Sequence, residues 1–331
     1  MTRAAFWLLA AGLLLFIAVL VSHGISAVFA TLALAGWGLL GVTLFHLLPL
    51  ALDAAAIRIL QVRAAGVSMR NALLVRWIGE SANSLMPAGQ IGGPLLMIRQ
   101  LAQRGVATAD AAAAITASTT LQTVAQILFA LLGLALLGSR ASLIPLAGSG
   151  TAAIIGACVL VLSIGNFYLL QRRGLFGKLT RLLQRFSGRR DLSGILRHAE
   201  AIDAALKQMY THSGRITGSF ALSLLGWIAG TGEVWLICRL LDSPVSWTNA
   251  LVLESLGQTI RSAAFAVPGS LGVQEGGYVL LAPLAGLRPE VALALSLAKR
   301  ARELLLAIPG LIYLHFSERA FRRRDLATAP K

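Results

Sequence analysis

The sequence predicts an all-α polytopic membrane protein, and three observations carry that prediction. Hydrophobic residues make up 56% of the chain and charged residues 13%, against about 45–50% and about 25% in soluble domains. The mean hydropathy is +0.75. The apolar residues fall in long runs with basic segments between them. So few charges cannot cover a water-facing surface over 331 residues, which excludes a soluble enzyme and a disordered protein.

A transmembrane helix needs about 20 mostly apolar residues. The first such run is 4–21. A second follows at once, at 28–52, so the pair reads as a helical hairpin rather than a cleaved leader. Arg58, Arg63, Arg70 and Arg76 stand among Ile57, Leu60, Val62 and Val67, a spacing that suits a helix lying on the membrane surface. Residues 73–105 are apolar but broken by Glu80, Asn83, Pro87 and Gly92-Gly93, and neither half is long enough to span. Clean spans follow at 109–137 and 143–170. Residues 171–215 are basic, with apolar positions at helical spacing, and read as a surface helix pair. A fifth span covers 216–241. Residues 247–287 repeat the broken pattern, and a sixth span covers 289–316.

The net charge is +15. In a soluble protein that balance points to nucleic acid; here position explains it. With both termini inside, cytoplasmic segments hold 22 of the 29 Lys and Arg, and outer loops hold only Arg140 and Arg288. The excess charge faces anionic lipid, and no nucleic-acid partner is expected.

The two broken stretches resemble each other. ESANSLMPAGQIGG starts at Glu80, and ESLGQTIRSAAFAVPGSLGVQEGG starts at Glu254. Both run Glu-Ser, then Pro, then Gln-x-Gly-Gly. Each sits after two spans and before one. The chain therefore reads as one membrane domain, 1–331, of two halves, 1–140 and 141–320. Three crossings per half make the second inverted relative to the first, and the broken segments become re-entrant hairpins of the kind found in transporters.

An ionisable residue at the helix centre costs about 2.5–3.5 kcal/mol on insertion scales. Glu80, Glu233, Glu254, Glu275, Glu303, Arg261, Lys299, Arg300 and Arg302 must therefore pair or line a hydrated path. Lys299 and Glu303 are i and i+4, within reach of each other. Lys299 and Arg302 share a face and need an external anion, for which Glu275 and Glu254 are the candidates.

No chemistry-bearing motif accompanies these charges. Cys158 and Cys238 lie in apolar runs and read as small buried hydrophobes. None of His23, His46, His198, His212 and His315 has a metal-ligand spacing, and no Walker A, GxGxxG or Asp-rich run is present. No catalytic residue, metal or cofactor is expected, and the chain reads as a non-enzyme.

At its broken stretches, and in LSLAKRARELLLAIPGL, the chain resembles the hopanoid-biosynthesis-associated membrane proteins of the HpnL type. These lie within the lysylphosphatidylglycerol synthase transmembrane, or flippase-like, superfamily. The resemblance implies a multi-pass protein of the bacterial inner membrane that moves or handles lipids, with hopanoids or anionic phospholipids as partners and membrane enzymes of lipid biosynthesis as possible neighbours. It implies substrate-binding positions at Glu80, Asn83, Pro87, Gln90, Gly92 and Gly93 in the first motif. In the second they are Glu254, Gln258, Arg261, Pro268, Gly269, Gln274, Glu275, Gly276 and Gly277, and in the last Lys299, Arg300 and Arg302. The soluble aminoacyl-transferase domain of the synthases does not follow, so lipid aminoacylation is not expected from this chain alone. Two alternatives stand beside transport. One is an enzyme acting on a lipid head group or isoprenoid diphosphate, since undecaprenyl-diphosphate phosphatases have similar broken hairpins. The other is a non-catalytic scaffold for membrane lipid enzymes.

Overall fold

A computed structural model of the chain describes Ile17, Val21, residues 25–61, 67–85, 92–138, Lys178, and residues 193–264 and 267–328. Among these residues all regular structure is helical. The helices are α1 (Ile25–Ala35), α2 (Gly38–Phe45), α3 (Leu47–Leu60), α4 (Met69–Leu85), α5 (Gly92–Gln103) and α6 (Thr108–Gly138). Then come α7 (Ser193–Tyr210), α8 (Ser213–Leu240), α9 (Trp247–Ala263), α10 (Val273–Leu281) and α11 (Pro289–Thr328). Apart from Ile17 and Val21, the first expected span lies outside the described residues, as do the span at 143–170 and most of the basic segment before α7.

Among the described residues, three stretches are long and apolar enough to cross a membrane: Gly38–Leu60, Thr108–Gly138 and Ser213–Leu240. The last two match the expected spans at 109–137 and 216–241. The first corrects the expected 28–52. Gly36 adopts a positive φ of 45° and ends α1, and the crossing stretch starts two residues later. Within it, Pro49 has no N–H to give the Phe45 carbonyl, and the helix is interrupted at His46 between α2 and α3.

The same shift corrects the expected surface helix. Residues 57–76 do not form one element: α3 continues to Leu60, and α4 starts at Met69. Arg76 is turned inward, onto Asp53. Its charge is therefore neutralised between helices.

Both broken stretches are helical hairpins. In the first, α4 packs on α5; in the second, α9 packs on α10 across a short turn at Pro268–Ser270. The Gly93 N–H bonds to Asn83 Oδ1 at 2.9 Å. A Cβ at Gly93 would lie 2.4 Å from the Gly79 carbonyl oxygen, so only glycine lets these helices cross. After α5, Gly105 takes φ 89°. Val106 N–H reaches Leu101 O and Gly105 N–H reaches Ala102 O, the paired bonds by which a glycine in this conformation satisfies a helix end.

The core lies where these hairpins meet the long helices. Helix α8 packs on α3, α6 and α9, and α11 packs on α4, α1 and α10. Gly310 permits the α4–α11 crossing, because a Cβ there would sit 2.1 Å from Ser81 Oγ. Beside it, Trp77 Nε1 donates to the Leu306 carbonyl at 2.9 Å. Helix α7 is amphipathic, and its Leu206, Met209 and Tyr210 bury against Leu60, Ala113 and Ala117. Helix α11 runs 40 residues, about 60 Å at the helical rise. It is twice the length of a hydrocarbon crossing and carries its charged turn into the core.

Candidate functional site

The site starts from residue spacing on four helices. On α9, Glu254, Gln258 and Arg261 are i, i+4 and i+7, so they share a face. On α11, Lys299, Arg302 and Glu303 share another. On α4, Arg76, Glu80 and Asn83 do the same. On α8, Ser223, Gly226, Gly230 and Glu233 make a stripe with little side-chain bulk. These faces converge on a cavity of about 260 Å³, with Gln122 and Gln126 of α6 and His46 and Asp53 on the α2–α3 side. The hairpins touch here, since α4 contacts the Pro268–Ser270 turn.

Every fixed cation around the cavity has a carboxylate. Lys299 Nζ lies 2.5 Å from Glu254 Oε2, with both side chains almost fully buried. Gln258 Nε2 donates to the other Glu254 oxygen at 2.8 Å, and Tyr278 donates to the first at 3.4 Å. Arg302 Nε donates to Glu233 Oε1 at 3.0 Å, and its Nη1 lies 3.5 Å from Glu80 Oε1. Arg261 is paired with Glu303 and donates to Gln274 Oε1 at 3.1 Å. Arg76 donates twice to Asp53 Oδ2, at 2.7 and 3.1 Å, and Gln122 Nε2 donates to the same oxygen at 2.6 Å.

Arg300 points away from the cavity and holds the second hairpin's turn. It donates to Glu275 Oε1 at 3.0 Å, to the Gly269 carbonyl at 2.5 Å and to the Ser270 carbonyl at 3.2 Å. Such a turn needs holding. Gly269 and Gly272 have positive φ, and so does Ser270, at 50°. Glu275 in turn accepts the Gly272 N–H at 2.7 Å and caps α10.

Two expected pairings change. Lys299 does not pair with Glu303 one turn away; it takes Glu254, one of the two external anions expected for it, and Glu303 goes to Arg261 and Arg300. Arg302 finds its anions in Glu233 and Glu80, outside the second hairpin.

Of the residues singled out by sequence, Glu80, Asn83, Glu254, Gln258, Arg261 and Arg302 line the cavity. Lys299, Arg300, Gln274 and Glu275 stand behind them as bonded supports. Pro268 and Gly269 make the turn. Gly92 starts α5, and Gly93 and Gly277 sit at close helix contacts. Gly276 faces open space, where a Cβ would meet nothing within 4 Å. Pro87 and Gln90 fall outside the described residues.

His46, Asp53 and Arg76 were not singled out as site residues. His46 Nε2 lies 2.8 Å from Glu80 Oε1, and its Nδ1 lies 2.9 Å from Glu233 Oε2. The one signal available was Pro49, three residues beyond a lone histidine in an apolar run.

The site is thus a polar chamber within an apolar helical body, able to exchange hydrogen bonds and ion pairs with a polar guest. No curated protein and no solved structure matches the chain. A family model does match, described as the lysylphosphatidylglycerol synthase TM region and aligned to residues 6–310. That match covers nearly the whole chain and both hairpins. The protein is therefore a membrane protein linked to lipid metabolism or transport, and it belongs to the lysylphosphatidylglycerol synthase transmembrane-region family.

Proposed function

We propose that this protein moves lipids across the bacterial inner membrane, and that hopanoids or their precursors are its cargo, as in proteins of the HpnL type. Anionic phospholipids are the other lipid class that the basic surface suits. In this reading both termini are cytoplasmic, the two halves are inverted repeats, and the hairpins enter from opposite sides. The protein does no covalent chemistry on its cargo.

The observation that carries the proposal is the cavity lined jointly by both hairpins. Polar groups left unsatisfied in hydrocarbon cost several kcal/mol each. A chamber of about 260 Å³ is just below the range of about 300–1,000 Å³ typical of small-molecule sites, and it suits a polar head group while the apolar body stays in lipid. Glu80 and Glu254, which head the two related motifs, both face it.

The test is head-group accessibility over time in liposomes holding the protein. Glu254→Gln and Glu80→Gln keep the side-chain shape and remove the charge. Each should slow lipid movement at least tenfold, while Arg197→Gln on the exposed face of α7 leaves it unchanged. Wild-type rates in both glutamate variants would defeat the proposal. Comparing inner- and outer-membrane hopanoids in a deletion strain identifies the cargo, and an unchanged distribution would remove hopanoids from it.

A further inference from the structure

We propose that His46, Glu80 and Glu233 form a proton-binding site, and that this proton is the ion coupled to lipid movement. The coupling rests on the transport reading above; the proton site does not.

The geometry begins with the two ring nitrogens. Both face carboxylate oxygens, Nε2 on Glu80 at 2.8 Å and Nδ1 on Glu233 at 2.9 Å. A neutral imidazole carries one N–H. Its other nitrogen would then direct a lone pair at a carboxylate oxygen within hydrogen-bond distance. An imidazolium donates to both.

Charge balance gives the same answer independently. The cavity and its supports hold the carboxylates of Asp53, Glu80, Glu233, Glu254, Glu275 and Glu303. The fixed cations paired with them are Arg76, Arg261, Lys299, Arg300 and Arg302. Asp53, Glu254, Glu275 and Glu303 each have a cation of their own. Glu80 and Glu233 share Arg302, and Arg76 reaches Glu80 only at 3.8 Å. One negative charge is therefore left over at this point, and an uncompensated charge in a buried site is strongly destabilising. A proton on His46 removes the deficit.

The site can also give the proton up. Arg302 Nη1 lies 3.2 Å from His46 Nε2, and an arginine can only donate. While Nε2 carries a proton it donates to Glu80, and Arg302 serves Glu233. When the proton leaves to solvent through the cavity, Nε2 accepts from Arg302, and Glu80 loses its closest donor. Glu80 then faces the chamber with an unmet charge and is free to take a donor from a head group. Groups from each surrounding helix set the balance: Arg76 and Glu80 on α4, Glu233 on α8, Arg302 on α11, and Asp53 beyond His46 on α3. Because the three groups are coupled, they titrate as a unit.

Two measurements test this separately. Protein with ¹⁵N-labelled histidine side chains, in liposomes, is followed by solid-state NMR between pH 5 and 9. The expected result at pH 8 is one imidazolium signal, absent from His46→Gln and lost at that pH in Glu80→Gln. A neutral His46 imidazole at pH 7 would overturn the proton site, whether or not lipid moves. For coupling, lipid movement is measured with and without a gradient of two pH units. The wild type should change rate at least tenfold. His46→Lys keeps a fixed cation between the two carboxylates, so it should fold, give the wild-type thermal transition and lose the gradient response. A wild-type rate indifferent to the gradient would overturn the coupling. Absence of any lipid movement would instead count against the transport reading, with the NMR result still deciding the site.

Discussion

At the residue scale, the buried pairs make opposite demands on single and double substitutions. Removing one member of a buried ion pair strands the other and costs about 3–5 kcal/mol, whereas replacing both with residues of similar shape is often near neutral. Lys299→Met should therefore lower thermal stability in detergent far more than Lys299→Met combined with Glu254→Gln. A second prediction concerns Gly93, whose Cβ would press on the Gly79 carbonyl. Gly93→Ala should cost about 1–3 kcal/mol through forced separation of α4 and α5, read as a lowered melting temperature. Gly276→Ala, facing open space, should change little. The two glycines look alike in their motifs, and only their neighbours separate them.

At the element scale, the ends of α5 and α11 are tied together outside the apolar core. Glu318 accepts from Arg99 at 2.7 and 2.9 Å, from Gln100 at 3.0 Å and from Gln103 at 3.1 Å. The hydrogen bonds from Arg99, with the glutamines adding to them, hold the Glu318 carboxyl below its ordinary value. A carboxylate depressed in the folded state stabilises above its unfolded pKa of about 4.3. It loses that contribution as pH falls through the folded value. Arg99 is half exposed, so solvent screening limits the effect to about 0.5–1 kcal/mol. Thermal melts of wild type and Glu318→Gln should accordingly differ at pH 7 and converge toward pH 3. Element scale is also where legibility divides. Glu80, Glu254 and Lys299 stood out because a charge in an apolar run has few explanations. His46 did not, because its meaning lies in Glu80 and Glu233, on two other helices. Asp53 and Arg76 were hidden for a related reason. They sit beside other arginines near a predicted surface, and only the inward turn of α4 shows that they pair. The break at Gly36 was also illegible, since glycine is common inside membrane helices.

At the scale of the whole molecule, labelling reads out the orientation. Cysteines at Ser22 and Ser142 should react with an impermeant thiol reagent from outside, and cysteines at Ser68 and Ser187 should not. Reaction at position 187 in intact spheroplasts would reverse the orientation read from the arginines. The hub where the two hairpins meet also bears on how the protein is made. His46 and Arg302 are 256 residues apart in the chain. At about 5–20 residues per second, the ribosome needs roughly 13–50 s to cover that interval. Within it Glu80, Glu233 and Glu254 are synthesised in turn, each of them before Lys299 and Arg302. The late turn of α11 thus supplies the cations for Glu233, Glu254 and Glu275, all of which precede it. Nascent chains released short of it should be recognised as unfinished and degraded, while chains released just past it should persist.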